Sequence, residues 1–382
     1  MDVYLDNAST SFPKPKVVAD SIYDYITNIG GNTNRGNYSN SLEGNRILLS
    51  TRKLIADFFN FNSIENVIFT NNITMSLNIL IKGILNKGDH VISSTMEHNS
   101  VLRPLNYCVK NKGVDLSLIQ ANNLGFIDVS SLESLIKPNT KAVILSHASN
   151  VTESIQNLID VGNICKKHNL FFIIDTAQSA GTVNVDMKVL NANAIAFTGH
   201  KSLYGPQGIG GFIIDDKLNN ICKPLLSGGT GSLSHSLSQP DFLPDKFECG
   251  TLNMLGIVGL NKAISFINNT GRETIKEKIL FLRNKLYDGL SNIDGIKVFG
   301  SKNNSTTCIS FTYRNIDPSE VSFYLSENGI KTRAGLHCAP LAHKSIGSYP
   351  AGTSRLSLSY FNTIEEIDYT LSIINNLTKE FN

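Results

Sequence analysis

The feature that most constrains the fold is an alternation of short apolar runs with helix-like stretches over the first two thirds of the chain. The runs are rich in β-branched and aromatic residues and lie at 67–70, 91–94, 142–146, 171–175 and 194–198. Residues 208–214, which follow a turn, predict another strand. Helices such as 74–85 carry an apolar face that can cover a sheet. This order predicts an α/β fold with a mainly parallel central sheet.

The pattern changes after about residue 260. A long helical stretch is followed by strands predicted near 307–313 and 355–359, which favours a smaller α+β domain. Thr363 and Glu366 predict a capping box at the start of the last helix. We therefore expect a large domain over residues 15–260 and a small domain over residues 1–14 and 261–382.

Charge and composition argue against several classes of protein. The 382 residues include 34 Lys and Arg against 32 Asp and Glu, without a basic block, so nucleic acid is not an expected partner. No apolar run approaches the ~20 residues that span a bilayer, so we expect no membrane association and a cytoplasmic location. Six cysteines are too few for a disulfide framework, and an unusual cysteine would therefore be catalytic or metal-binding.

One lysine lies where α/β folds bind ligands. Lys201 follows the strand predicted at 194–198, in the segment Thr198-Gly199-His200-Lys201, and precedes a run of glycines. A lysine used in Schiff-base chemistry must lose its proton readily, and burial near cations favours this. Taken alone, a surface lysine in a loop is the commoner explanation for such a segment.

Three other positions strengthen the case for a cofactor site. Asp175 ends an apolar run, where its carboxylate could pair with a protonated pyridine nitrogen. Asn72-Ile73-Thr74 lies between a strand and a helix, so its N–H groups and the Thr74 hydroxyl could bind a phosphate; the alternative is that Thr74 only caps the helix. His98 follows the next strand and could stack on a cofactor ring, although a structural histidine is the alternative.

Six motifs occur together along the chain. They are Tyr4-Leu5-Asp6-Asn7-Ala8, Glu97-His98, Ser149-Asn150, Asp175-Thr176-Ala177-Gln178, Thr198-Gly199-His200-Lys201 and Arg333-Ala334-Gly335-Leu336-His337-Cys338-Ala339. In this order they resemble class V aminotransferase-fold enzymes, specifically the group II cysteine desulfurases. The resemblance implies fold type I of the pyridoxal-phosphate (PLP) enzymes, with helices on both faces of the central sheet.

The resemblance also implies roles for individual residues. Lys201 would bind PLP covalently, Asp175 would pair with the pyridine nitrogen and Gln178 with the phenolic oxygen, while His98 would stack on the ring and act in catalysis. The other implied cofactor contacts come from Ile73 (through its backbone), Thr74, Thr198, His200 and Asn150. The substrate carboxylate would contact Asn150, Arg355 and Arg333. Thr251 would reach the phosphate site of a neighbouring subunit, which implies a homodimer with shared active sites.

Cys338 differs in context from the other five cysteines. It lies between Arg333 and Pro340, beside His337, where a nearby cation would favour the nucleophilic thiolate. The remaining cysteines are interpreted as packing residues: Cys108, Cys165, Cys222, Cys249 and Cys308. A zinc site is a poor alternative because no cysteine pair lies at ligand spacing.

The resemblance implies a sulfurtransferase that converts L-cysteine to L-alanine. In this hypothesis Lys201 moves the Cα proton and Cys338 takes the sulfur as a persulfide, for transfer to an acceptor protein in iron–sulfur cluster assembly. A selenocysteine lyase or another PLP carbon–sulfur lyase is the main alternative, and a catalytically silent sulfur-relay scaffold is the non-enzyme alternative. Leu336, where better-known relatives have histidine, and a slightly longer 339–355 segment leave the preferred partner and substrate open.

Overall fold

The computed structural model describes residues 1–33, 36 and 38–380. The strands are β1 Val3–Tyr4, β2 Val67–Thr70, β3 His90–Ser94, β4 Asp115–Ile119, β5 Thr140–Ser146, β6 Phe171–Asp175, β7 Ala194–Thr198, β8 Gly210–Ile214, β9 Ile296–Phe299, β10 Cys308–Tyr313, β11 Ile330–Lys331, β12 Arg333–Gly335 and β13 Thr353–Ser357. The helices are α1 Lys16–Asp24, α2 Ser39–Phe58, α3 Ile73–Ile84, α4 Asn99–Lys112, α5 Leu158–Lys167, α6 Asp216–Ile221, α7 Met254–Thr270, α8 Arg272–Ser291, α9 Pro318–Glu327, α10 Pro340–Ile346, α11 Ile364–Asn375 and α12 Leu377–Glu380. Within the described ranges, none of these helices is both long and apolar enough to cross a membrane.

The central sheet has seven strands in the order β2-β8-β7-β6-β5-β3-β4. The strand pairs from β7 to β4 are parallel, whereas β8 runs antiparallel to both β2 and β7. The prediction of a mainly parallel sheet is confirmed, and β2, β6 and β7 begin and end where the sequence predicts. The carboxyl ends of β3, β5, β6 and β7 meet at one edge of the sheet, which is the edge at which such folds bind ligands.

Both faces of the central sheet are covered by apolar layers. On one face, Ile144 and Ile173 belong to the same buried cluster as Leu77 of α3. On the other face, their neighbours Leu145 and Ile174 belong to a second cluster with Val161 of α5. Burying each such side chain contributes about 1.5–3 kcal/mol, which explains why strands covered on both faces appear as continuous apolar runs.

A second sheet is formed by the later part of the chain. It has the order β12-β13-β10-β9 and is antiparallel throughout. The strand predicted at 307–313 is confirmed as β10, whereas β13 begins two residues before the predicted 355. The predicted capping box at Thr363 and Glu366 is present at the start of α11. The proposed division into domains of 15–260 and 1–14 plus 261–382 stays a prediction.

The first eleven residues connect the two sheets. β1 pairs in parallel with β11, and the Ser357 N–H of β13 donates to Leu5 O at 2.7 Å. A few residues later, the Ser11 hydroxyl donates to Lys201 O at 3.0 Å. This segment therefore fixes the loop after β7 relative to the second sheet.

Candidate active site

A cavity of about 180 Å³ lies at the carboxyl ends of the parallel strands. Nine of its lining residues are site residues that the sequence predicts: Ile73, Thr74, His98, Asn150, Asp175, Gln178, Thr198, His200 and Lys201. Asn72, from the predicted phosphate segment, also lines the cavity, as do four residues for which no role was predicted: Ser100, Ser146, Ala148 and Ala177. The motifs that are scattered along the sequence thus converge on one enclosed space.

Lys201 has an environment suited to a reactive amine. It is partly exposed into the cavity, yet protein surrounds its amine closely enough that burial lowers the Lys201 pKa from 10.5 to about 8. The Asp175 charge opposes this change, and the Arg355 guanidinium reinforces it. A substantial neutral fraction near pH 8 is what nucleophilic attack on a carbonyl requires.

Asp175 is a buried carboxyl at the end of β6. It is 3% exposed, and burial raises its pKa, while hydrogen bonds from the Ala177 N–H and the Lys201 charge oppose that change. Ala177 N donates to Asp175 Oδ1 at 2.8 Å. Buried carboxyl groups need a partner, and a protonated pyridine nitrogen would provide one.

His98 contributes its ring to the wall of the cavity and also caps helix α4. The Ser100 N–H donates to His98 Nδ1 at 3.0 Å, and Ser100 Oγ lies 2.8 Å from the same nitrogen. Burial, together with the positive charges of Lys201 and Arg333, lowers the His98 pKa to about 3. His98 is therefore a neutral imidazole at physiological pH.

One end of the cavity has the properties of an anion site. Ile73 and Thr74 form the first turn of α3, whose N-terminal N–H groups favour negative charge. The alternative in which Thr74 caps this helix is wrong, because Asn72 is the cap and accepts from Met75 N. Among the described residues, buried Thr198 Oγ1 and His200 Nδ1 have no hydrogen-bond partner.

These features together fit PLP. The two unpartnered polar atoms and the helix N-terminus suit a phosphate, Asp175 suits a pyridinium nitrogen, and Lys201 suits a covalent link to the aldehyde. Gln178 Nε2 donates to Ala8 O at 3.1 Å, which leaves its second N–H for a ring oxygen.

Two arginines lie next to the cavity rather than in its wall. Arg355 and Arg333 are opposite each other in β13 and β12, and both donate to Ser9 Oγ, at 3.0 and 3.1 Å. Arg355 is 1% exposed; it also donates to Asn150 O at 2.9 Å and to Asp6 Oδ1 at 3.1 Å. Its buried Nε has no partner in the described part of the chain.

Cys338 lies on a turn that is hydrogen-bonded to Asn150, a residue of the cavity wall. It is exposed, and both His337 and Cys338 have left-handed backbones, with φ of +47° and +59°. Asn99 N donates to Cys338 O at 2.7 Å, and Asn150 Nδ2 donates to His337 O at 2.5 Å. Arg333 Nη2 lies 3.7 Å from Cys338 Sγ.

The cation beside the Cys338 thiol is Arg333, not His337. The His337 ring is 3% exposed and contacts Thr353 O through Nε2 at 3.1 Å. Burial and the Arg355 charge lower the His337 pKa well below its usual value, so its imidazole is neutral. The sequence left open which neighbour supplies the cation, because spacing alone does not show that the His337 ring turns into the core.

The other cysteines behave as the sequence predicts. Cys108, Cys165, Cys222 and Cys308 are buried and Cys249 is partly buried. No group of metal-ligating side chains occurs among the residues that the structure describes. Thr251 does not line the cavity of its own chain; together with Thr33 and Gly250 it borders a separate depression of about 270 Å³.

Three contributors to the site were missed from the sequence. Asp6 and Ser9 hold Arg355, and Ser100 holds His98. Asp6 belongs to one of the motifs that carry the resemblance, but the sequence did not indicate what its side chain contacts. Ser100 follows His98 by two residues, which is the spacing of a helix cap.

Comparisons with known proteins agree with this site. The aminotransferase class-V family model matches residues 3–370. A probable cysteine desulfurase from Methanothermobacter thermautotrophicus is 35% identical over 371 residues, which cover 96% of this chain and 92% of the relative. A probable cysteine desulfurase from Pyrococcus abyssi is 32% identical, over 99% of this chain and 94% of the relative.

Solved structures show the same fold. The apo cysteine desulfurase from Thermococcus onnurineus NA1 has a TM-score of 0.94 and 31% identity, covering 99% of this chain and 95% of that one. The cysteine desulfurase CsdA from Escherichia coli, in an S-sulfonic acid form, has a TM-score of 0.90 and 26% identity over the same shares. The architecture is thus that of PLP fold type I.

Proposed function

The chain belongs to the class-V aminotransferase family, and we propose that it is a PLP-dependent cysteine desulfurase that converts L-cysteine to L-alanine and holds the sulfur as a persulfide on Cys338. The full-length similarity to proteins named cysteine desulfurases supports this activity. The observation that carries the proposal is Asn150, which lines the Lys201 cavity and also holds the Cys338 turn through His337 O. The lysine site and the turn that carries the exposed thiol therefore meet at Asn150.

PLP, when bound, supplies an electron sink for negative charge at the substrate Cα. Lys201 would hold it covalently, with Asp175 placed for its pyridine nitrogen, Gln178 for its phenolic oxygen and His98 for its ring. Ile73 N–H, Thr74, Thr198 and His200 would hold its phosphate, and Asn150 would contribute to the same site. The unpartnered atoms of Thr198 and His200 support this orientation.

Lys201 is the residue that we propose moves the substrate proton. Its Nζ takes the proton from the substrate Cα, a role for which an amine with a pKa of about 8 is suited near neutral pH. Asn150, Arg355 and Arg333 hold the substrate carboxylate. The buried, unpartnered Nε–H of Arg355 supports this role, because a guanidinium binds a carboxylate best through two parallel hydrogen bonds.

Cys338 is the group that we propose accepts the sulfur. Its thiolate attacks the substrate sulfur, so an S–S bond forms as the Cβ–S bond breaks. The electron pair of the broken bond stays on Cβ, which takes a proton and becomes the methyl group of alanine. The exposure of Cys338 and the contact of Arg333 Nη2 with its Sγ at 3.7 Å, which orients the sulfur, support this role.

We also propose a homodimer with shared active sites and a protein that accepts the sulfur in iron–sulfur cluster assembly in the cytoplasm. The position of Thr251 outside its own cavity supports a role in the neighbouring site. The exposure of Cys338 supports an acceptor protein, and six free thiols suit a reducing compartment. Mixing Lys201→Ala chains with Thr251→Ala chains tests the shared site: activity above that of either variant alone is expected, and none above it contradicts sharing.

The test of the function is product analysis with L-cysteine, a thiol reductant and PLP-loaded enzyme. We expect alanine and sulfide in equal amounts from the unchanged chain and from Cys249→Ala, the matched control. We expect neither product from Cys338→Ala. Pyruvate in place of alanine, or sulfide release that survives Cys338→Ala, would assign the enzyme to the carbon–sulfur lyases instead.

A further inference from the structure

His98 is both a wall of the cavity and the N-cap of α4. The cap is made by a ring nitrogen: Ser100 N donates to His98 Nδ1 at 3.0 Å. An N–H group can donate only to a lone pair, so Nδ1 carries no proton. A neutral imidazole has one N–H, and the proton of His98 is therefore on Nε2.

The Ser100 hydroxyl has two acceptors within reach and one proton to donate. Its oxygen lies 2.8 Å from His98 Nδ1 and 3.5 Å from Asp175 Oδ2. The shorter distance is typical of a good hydrogen bond, whereas the longer one is at the outer limit. The hydroxyl therefore donates to His98 and leaves Asp175 for another partner.

The charges around His98 favour the same state. Lys201, Arg333, Arg355 and Arg103 all act on the ring as positive charges, and α4 directs the positive end of its dipole at Nδ1. A second proton on the ring would face these cations and would break the helix cap. Both effects hold the imidazole neutral, as the low His98 pKa also indicates.

We propose that Ser100 is a positioning residue for His98: its N–H and hydroxyl together fix the imidazole with a bare Nδ1 toward α4 and a protonated Nε2 left for the cavity. In this state His98 can donate a hydrogen bond to a bound ligand, but Nε2 cannot remove a proton from it. The proton-accepting role is left to Lys201. This division of roles rests on the proposed function; the state of the ring does not.

The first test measures the protonation of the His98 ring nitrogens by ¹⁵N NMR in the PLP-free chain. The signals that are missing from His98→Gln are those of His98. We expect a protonated Nε2 and a bare Nδ1, with the ring neutral down to about pH 4, given its pKa of about 3. Ser100→Ala removes one of two donors to Nδ1, so His98 should titrate at higher pH. Ser100→Thr should restore the original signals. A proton on Nδ1, or unchanged signals in Ser100→Ala, would overturn the proposal.

The matched control is Ser130→Ala. Asp128 caps the short 3-10 helix Val129–Ser131; Ser130 N donates to its carboxylate at 3.1 Å, and the Ser130 hydroxyl bonds the same carboxylate, at an exposed site. Like Ser100→Ala, this change removes a serine hydroxyl that bonds the side chain of a helix N-cap residue. It should leave the His98 signals and the activity as they are. Ser100→Cys, which keeps the shape but is a weak donor, gives the same test if Ser100→Ala does not fold.

The second test uses the PLP-loaded enzyme. At metal sites, loss of a partner that orients a ligating histidine costs about 10–100-fold. By analogy we expect kcat for L-cysteine to fall about tenfold in Ser100→Ala, the low end of that range, with KM little changed. Ser100→Thr should restore kcat. The absorbance of bound PLP should stay unchanged, since Ser100 acts on His98 rather than on Asp175. An unchanged kcat, or altered absorbance with unaltered His98 signals, would refute the assignment. If no variant releases alanine, the NMR result still decides the state of His98.

Discussion

The Lys201 cavity and the Cys338 turn lie on either side of Asn150, and they control their reactive groups by different means. In the cavity, burial changes the proton affinity of Lys201, Asp175 and His98. At the turn the thiol is exposed, and the backbone is what the protein holds, through Asn99 and Asn150. Proton transfer needs groups with altered pKa values, whereas delivery of sulfur needs a group that a partner can reach.

The largest expected effect that tests this comparison is in the cavity. Lys201→Ala should lower the rate of alanine formation by about 10²–10⁴-fold, the usual contribution of a general acid–base group. It should also abolish the PLP adduct that borohydride traps on the peptide containing residue 201. Lys53→Ala, an exposed lysine of α2, is the control and should behave as the unchanged chain. An adduct on another lysine would contradict the role of Lys201.

A second effect isolates the cost of burying the amine. The Lys201 pKa is lowered by burial from 10.5 to about 8, so between these pH values the unfolded chain binds more protons than the folded chain. Stability of the PLP-free protein should therefore rise with pH across this window, by roughly 3 kcal/mol. Denaturant unfolding at pH 7.5 and 10.5 measures it. Lys201→Met should remove this part of the rise; an equal rise in the variant would refute the assignment.

At the turn, a smaller effect is expected from the neighbouring cation. Two unit charges about 4 Å apart interact by only about 1 kcal/mol in water, so Arg333→Gln should slow alkylation of Cys338 by roughly fivefold. Iodoacetamide modification followed by peptide mass analysis gives the rate. Cys249 in the same protein serves as the internal control, because Arg333 is not paired with it. Equal rates at Cys338 before and after the change would show that Arg333 has no such effect.

The smallest expected effect concerns the backbone of the turn. Cys338 has a φ of +59°, which costs about 1–2 kcal/mol for residues with a side chain. Glycine avoids this cost but loses about 0.4–1 kcal/mol through its more flexible unfolded state. Both Cys338→Gly and Cys338→Ala remove the thiol, and the glycine variant should be more stable by about 0.5 kcal/mol. A more stable alanine variant would show that the turn relaxes.

Periodicity predicts the central sheet well because its strands are buried on both faces. It could not predict that β8 runs antiparallel, since an apolar strand has the same pattern in either direction. β4, at the edge of the sheet, was missed because its exposed Asp115 and partly exposed neighbours weaken the apolar signal. The domain boundaries depend on long-range contacts that periodicity does not contain.

The candidate site was predicted where a motif carries it, and missed where tertiary contacts do. The nine predicted residues of the cavity come from segments that end strands or begin helices. The pairing of Arg355 with Asp6, 349 residues away, has no local signal. The burial of His337 is likewise set by Thr353 on β13, and only the folded chain shows that Arg333 is the cation beside Cys338.

The bonds from the N-terminal segment to β13 also bear on how the enzyme is made. Asp6 contacts Arg355 across 349 residues of chain, which a ribosome adds in roughly 20–70 s at about 5–20 residues per second. Until Arg355 has emerged, Asp6 and Ser9 lack this partner, although all strands of the central sheet already exist. The nascent chain can therefore build its lysine cavity well before it can complete the arginine side of the site.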